Sequence, residues 1–95
     1  MNKVFSLVKK IPKGKVTTYG EIGKALRIHP RVVGRILSQN EDLEGTKCYR
    51  VVRSDGSIGG YKLGRKKKIE LLKKDGIVFE KKINLKKYLH RFILL

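Results

Sequence analysis

Apolar residues recur at helical spacing from the first residues onward. Val4, Phe5, Leu7, Val8 and Ile11 mark one face of a helix that runs from about Asn2 until Pro12 stops it. Pro12-Lys13-Gly14-Lys15 reads as a turn. Thr18 then opens a second helix, with Glu21 placed to complete a capping box and Ile22, Ala25 and Leu26 forming its buried face. Arg27-Ile28-His29 is a short connector, and Pro30 suits the first position of a third helix. In that helix Val33, Ile36 and Leu37 face inward, while Arg31, Gly34, Arg35 and Ser38 share the opposite stripe. Two short helices with a brief connector, the second carrying arginines, form a helix-turn-helix layout. A helical hairpin with solvated arginines satisfies the same pattern. Gly34 speaks for a partner, because glycine inside a helix costs about 1 kcal/mol relative to alanine and leaves a backbone that can lie close against another surface.

After Asn40 the periodicity is lost until Tyr49 to Val52, a short β-prone run. Ser54-Asp55-Gly56-Ser57 supplies a hairpin turn, with a brief return strand ending at Gly59-Gly60. A fourth helix fits Arg65 to Lys74, with Ile69, Leu71 and Leu72 apolar and Gly76 just past its end. Ile77-Val78-Phe79 is a candidate strand. Asn84 caps a last helix carrying Leu85, Tyr88, Leu89 and Phe92, from which Phe92-Ile93-Leu94-Leu95 would cap the core. The lysine runs Lys66-Lys67-Lys68 and Lys81-Lys82 read as solvated faces. Nothing repeats and no linker divides the chain, so residues 1–95 are expected to form one domain, mainly α with a small β-hairpin and winged helix-turn-helix-like.

Charge narrows the class of partner. Twenty-four Lys and Arg against eight Asp and Glu give a formal net charge of +16 on 95 residues. Such self-repulsion is offset most readily by a polyanion, whose condensed counterions are released on contact. Charge alone does not separate DNA from RNA, an acidic membrane or a ribosomal role. One cysteine excludes an internal disulfide, and with two histidines it cannot complete a four-ligand zinc site, so no metal is expected. No apolar stretch is long enough for a signal sequence or a membrane span, which points to a cytoplasmic protein without a membrane partner.

Four blocks of residues are more specific than the layout. Lys13-Gly14-Lys15-Val16-Thr17-Thr18-Tyr19-Gly20-Glu21-Ile22 resembles the start of the DNA-binding domain of the O6-alkylguanine-DNA alkyltransferase family, the methylated-DNA–protein-cysteine methyltransferases. Pro30-Arg31-Val32-Val33-Gly34-Arg35, followed by Asn40, resembles its recognition helix and asparagine hinge. Cys48, Arg50-Val51-Val52, Ser54, Gly56, Gly59 and Tyr61 keep the family's order and spacing. Leu71-Leu72 before Gly76, and Asn84-Leu85-Lys86-Lys87-Tyr88-Leu89, carry the likeness almost to the end. The family's full-length enzymes have an additional N-terminal domain, and the chain is expected to correspond to the catalytic, DNA-binding half alone. The alkyltransferase-like proteins, which bind alkylated DNA without repairing it, are of similar size.

The resemblance implies a monomer acting on double-stranded DNA that contains alkylated guanine, by base flipping and without a cofactor. Cys48 would accept the alkyl group once. Arg31 would hold the place of the flipped base, and Thr18, Tyr19, Gly34, Arg35 and Ser38 would lie at the DNA. Tyr19 would also crowd the target phosphate and protonate the leaving purine. Backbone groups at Cys48, Val51 and Lys62 would read the guanine beside a wall formed by Tyr61. Asn40 would tie the recognition helix to the active-site loop. Plainer readings stand beside these: an inert buried thiol for Cys48, core packing for Tyr61, a helix C-cap for Asn40. The family's proline-cysteine-histidine-arginine is here Lys47-Cys48-Tyr49-Arg50, and the glutamate behind the histidine corresponds to Asp75. Tyrosine, with a reference pKa of about 10, is a poor base at neutral pH. Two readings follow: a DNA repair methyltransferase acting through Cys48, with Tyr49, Asn40, Asp75 and Tyr19 assisting, or a sensor that flags the lesion for a repair-pathway partner. An ordinary helix-turn-helix regulator would explain the charge and helices but not the block from Cys48 to Tyr61.

Overall fold

The computed structural model describes residues 2–92. The first helix, α1 (Lys3–Val8), is capped by Asn2, whose side chain accepts from the Val4 amide, and buries Val4 and Val8. A two-residue strand, β1 (Thr17–Thr18), leads directly into α2 (Tyr19–Leu26). Thr18 caps α2 by accepting from the Glu21 amide at 3.0 Å, one half of the expected capping box; the described hydrogen bonds do not include the return bond from the Glu21 side chain. Arg27 ends α2 in the left-handed region, at φ 58°. Gly23 makes the tight return possible, since a Cβ there would stand 2.6 Å from the Ile28 carbonyl oxygen.

Helix α3 (Pro30–Ser38) has the expected bounds. Its cap is His29, whose Nδ1 accepts from the Arg31 amide at 3.1 Å. Helices α1, α2 and α3 close over Val4, Val8, Ile11, Ile22, Val33, Leu37 and Cys48. A second cluster gathers Val16, Tyr49, Val52, Ile58, Leu72, Ile77, Ile83 and Tyr88. Tyr61 packs against both and marks the seam between them.

The expected hairpin does not form. Cys48–Arg50 is a 3-10 turn, and the strand that follows, β2 (Val51–Val52), pairs in parallel with β1, Thr17 opposite Val51 and Thr18 opposite Val52. Both valines are fully buried, as a strand covered on both faces requires. Residues 53–57 make the turn, closed by Arg53 donating to the Ser57 carbonyl at 3.0 Å, but Ile58 is followed by Gly59-Gly60 and no return strand is present among the described residues. Two glycines after one β-branched residue give a ladder little to pack.

Helix α4 (Arg65–Lys74) also has its expected bounds. Ile77 does not begin a strand. The Gly76 amide donates to Lys73, the Ile77 amide donates to Leu72 at 3.2 Å, and Ile77 packs beside Leu72, which is a Schellman closure of α4. Val78 is left 77% exposed. Asn84 caps the short α5 (Leu85–Tyr88), which is over before Leu89 and Phe92. Phe92 packs on the first cluster from outside any helix; Ile93, Leu94 and Leu95, expected to cap the core with it, lie outside the described residues. No helix among the described residues is long and apolar enough to cross a membrane.

Candidate functional site

Cys48 enters the site through its 3-10 turn. Its amide donates to the Thr46 carbonyl at 2.9 Å, and its side chain is buried beside Asn40. The Asn40 Nδ2 lies 3.6 Å from Cys48 Sγ and donates to the Thr46 carbonyl at 2.9 Å, while its Oδ1 accepts from the Asp42 amide. Asn40 stands just past the Gln39 cap of α3, so one buried amide joins the end of α3 to the loop that carries the thiol. The geometry is more than a helix C-cap.

A cavity of about 280 Å³ opens over the sulfur. Gly34, Leu37 and Ser38 of α3 form one wall, Gly60, Tyr61 and Lys62 another, and Tyr19 and Cys48 complete it. An adjoining open groove shares Tyr19, Gly34 and Gly60 and adds Pro30, Arg31 and Arg53. The exposed Arg31 therefore stands next to the mouth of the Cys48 cavity. Gly59 sits at φ +76°, where a Cβ would stand 3.3 Å from the Tyr19 hydroxyl. Glycine lets the chain pass close over that ring. Burial raises the pKa of the Tyr19 hydroxyl, the nearby Cys48 sulfur adds to this, and Arg53 pulls it partly back. Burial and then Cys48 raise Tyr61 in the same direction. Both phenols are held as donors.

Tyr49 turns the other way. Its hydroxyl donates to Asp75 Oδ2 at 2.8 Å, and Arg50 Nε donates to the same oxygen at 2.8 Å. Arg50 also reaches the Ile11 carbonyl at 3.0 Å. Tyr49 packs in the second cluster and Cys48 in the first. Its pKa is pushed up to about 12, by burial and then by the hydrogen bond to Asp75, with Arg50 opposing. Asp75, at the end of α4, thus holds Tyr49 and Arg50 of the 3-10 turn, and Arg50 extends the network to Ile11 in the turn after α1; Tyr49 and Asp75, expected to assist at the thiol, have no described hydrogen bond to it.

The structure places two further expected site residues as follows. Val51 does not line the cavity: it is fully buried, its amide donates to Cys48 O, and its carbonyl accepts from Lys68 Nζ at 2.7 Å. Thr18 is 4% exposed with its hydroxyl engaged at the α2 cap, and it lines a groove with Gly20, Ser54 and Arg91. Arg35 and Ser38 are exposed on α3 as expected.

Lys68, read as part of a solvated run, is fully buried. Its ammonium donates to the carbonyls of Val51 and Gly60, at 2.7 and 3.0 Å, and lies 5.8 Å from the centroid of the Tyr19 ring. Burial lowers its pKa to about 8, with Cys48 opposing and Arg53 adding to the fall. The sequence signal was faint: Lys68 precedes Leu72 by one helical turn on the buried stripe. Leu37 and Gly60 are also pocket residues that the sequence did not single out. Among the described residues no group of His, Cys, Asp and Glu could hold a metal ion.

Comparison with known proteins agrees with this architecture. A bifunctional methyltransferase/endonuclease of Picrophilus torridus is 47% identical over 88 residues, 90% of this chain and 30% of that protein. A methylated-DNA–protein-cysteine methyltransferase of Methanopyrus kandleri is 43% identical over 74 residues, 78% of this chain and 56% of that protein. The chain thus spans well under two thirds of these relatives. Among solved structures, S. pombe Atl1 in complex with damaged DNA containing O6-carboxymethylguanine superposes with a TM-score of 0.82 at 27% identity, covering 94% of this chain and 92% of Atl1. The family model of the 6-O-methylguanine DNA methyltransferase DNA-binding domain matches residues 1–77, and the chain belongs to that family.

Proposed function

We propose that the protein repairs DNA by moving an alkyl group from guanine O6 to Cys48 after flipping the base. The observation that carries this reading is the cavity in which the Cys48 thiol, the recognition helix and Tyr19 meet, with Arg31 on the adjoining groove. An alkylated base is inaccessible in the stack and must be extruded into such a pocket. Arg31 enters the duplex in its place. The Cys48 sulfur, as thiolate, attacks the alkyl carbon; an S–C bond forms and the C–O6 bond breaks. Tyr19, kept protonated, donates to the departing purine and is reprotonated by solvent. A thioether does not revert, so each molecule acts once. Asn40 holds the sulfur against α3 while this happens.

The second reading is a sensor that binds the lesion and leaves it for another protein. It is favoured by Tyr49, which donates to Asp75 and has no described hydrogen bond to the sulfur. The likeness to Atl1, captured on damaged DNA, fits the same reading. The P. torridus relative, named for both methyltransferase and endonuclease activities, suggests a DNA-cutting enzyme as the class of partner.

One experiment separates the two. The protein is incubated with duplex DNA containing O6-methylguanine, and its intact mass is measured. A gain of one methyl group, absent in Cys48→Ala, establishes transfer. Tight, lesion-selective binding with no change in mass refutes transfer and leaves the sensor.

A further inference from the structure

The groove that holds Arg31 does not end at Tyr19 and Arg53, which also line it. A second groove opens between Thr18, Gly20 and Ser54 on one bank and the segment from Leu85 to Arg91 on the other. Thr18 and Gly20 flank Tyr19 in the chain, and Ser54 follows Arg53, so the two grooves adjoin. A third shares Glu21 and Arg91 with the second and continues past Lys24 and Ala25. Together they form one track along α2. From Tyr19 to Ala25 the helix rises about 9 Å, the length of about three base pairs of duplex.

The outer bank of this track is cationic and fixed in place. Residues 78–92 lie beyond the stretch that the family model matches. The Ile83 amide donates to the Gly56 carbonyl at 2.8 Å, the Val16 amide to the Tyr88 carbonyl at 2.9 Å, and the His90 amide to the Val16 carbonyl at 2.6 Å. The segment is thus pinned on both sides of α5. Lys86 and Arg91 are exposed, as is Lys24 across the groove, and Glu21 is the one carboxylate lining the track. The ion pairs among the described residues are Arg50–Asp75, Lys67–Glu70 and Lys82–Asp55, and none includes these three cations. Cations held along one groove repel each other, and a phosphate backbone laid in it offsets this by releasing its counterions. Continuity selects the occupant, because DNA lying at Arg31 and Tyr19 runs on into the same track. We infer that Lys86 and Arg91, with Lys24 opposite, grip the phosphates of the duplex on one side of the flipped nucleotide, about three base pairs beyond Tyr19, an inference that rests on the reading that Arg31 and Tyr19 stand at the flipped base.

The test uses the Cys48→Ala protein, so that transfer cannot deplete the complex, with and without Lys86→Gln and Arg91→Gln together. Dissociation constants are measured on a duplex with one central O6-methylguanine, and on two versions in which uncharged methylphosphonates replace the phosphates of either the 5′ or the 3′ flank. On the fully charged duplex, raising salt from 50 to 200 mM should weaken the double variant about tenfold less than its parent, as two lost phosphate contacts require. The affinity lost through the double variant should vanish when one particular flank is neutral and persist when the other is, because the contact is one-sided. Lys86→Arg with Arg91→Lys should bind like the parent. Unchanged binding by the double variant overturns the inference, as does a loss of equal size whichever flank is neutral, which would make the two residues structural. In both cases a retained preference for O6-methylguanine over guanine leaves the functional reading intact. If the parent shows no such preference, the functional reading falls and the one-sided grip falls with it.

Discussion

Lys68 makes the stability of this domain depend on pH in an unusual direction. Its pKa stands at about 8 in the folded protein, against the ordinary 10.5. Below pH 8 the ammonium is charged in both states, and burial penalises the fold in full. As pH rises from 8 toward 10.5 the folded protein releases this proton first, so the unfolded chain binds more protons and stability increases. The gap between the two values corresponds to about 3 kcal/mol in total, of which about 2 kcal/mol should appear between pH 8 and pH 9.5. The tyrosines act higher: Tyr49, raised from 10.0 to about 12, takes stability away only as pH climbs past 10. Lys68→Met keeps most of the stem and removes the charge. It also strips the Val51 and Gly60 carbonyls of a donor, so its absolute stability falls, by about 1–3 kcal/mol for each group left unsatisfied. The informative quantity is therefore the slope. Urea unfolding of both proteins from pH 7.5 to 9.5, at constant ionic strength, should show the rise in the lysine protein and not in the methionine variant. Parallel slopes would refute the assignment of a buried, charged Lys68.

Three further outcomes are expected. Gly34→Ala places a Cβ 3.9 Å from Tyr19 Cε1, an ordinary contact; thermal unfolding should gain up to about 1 kcal/mol, or roughly 4–8 °C, while affinity for alkylated duplex falls, and unchanged affinity would remove the close approach inferred for this helix. Asp75→Asn leaves Arg50 nearly buried without its carboxylate and should cost about 3–5 kcal/mol in denaturant unfolding; a slower haloacetamide reaction of Cys48 at matched folded fraction would instead return Asp75 to the activation of the thiol. Arg31→Ala should abolish preference for O6-methylguanine over guanine while lowering the salt dependence of DNA binding by only about one counterion, and retained preference would mean that Arg31 does not hold the flipped-base position.

The parts of this fold that were legible are those specified locally. Thr18 with Glu21, Pro30 at the start of α3 and Gly76 after α4 each announce a helix end through chemistry within one turn. The parallel pairing of Thr17 with Val51 was not legible, because neither dipeptide carries a mark of its distant partner. Lys68 was hidden for the same reason. Three consecutive lysines look solvated, and only the carbonyls of Val51 and Gly60, brought over α4 by the fold, make a buried ammonium tolerable. In the site, residue identity singled out Cys48, Tyr19 and Tyr61, which line one cavity, and Asn40, which lies against the sulfur. It did not say which way Tyr49 turns.

That direction decides how the chemistry is organised. The 3-10 turn sends Cys48 into the cavity and sends Tyr49 and Arg50 to one oxygen of Asp75. A phenol held to about pKa 12 and already donating cannot take a proton from the thiol at neutral pH. The groups around the sulfur, Asn40, Tyr19 and Tyr61, are donors too. Losing a general base typically slows a reaction by about 10²–10⁴-fold, but a protein that acts once is not judged by turnover. What matters is whether the flipped base stays longer than the transfer takes. In the proposed reaction residence depends on Arg31 and on the cavity walls, so the same contacts that would make a good sensor would also make a slow thiol sufficient. Transfer and recognition are then two outcomes of one site, separated by the ratio of the alkylation rate to the rate of DNA release.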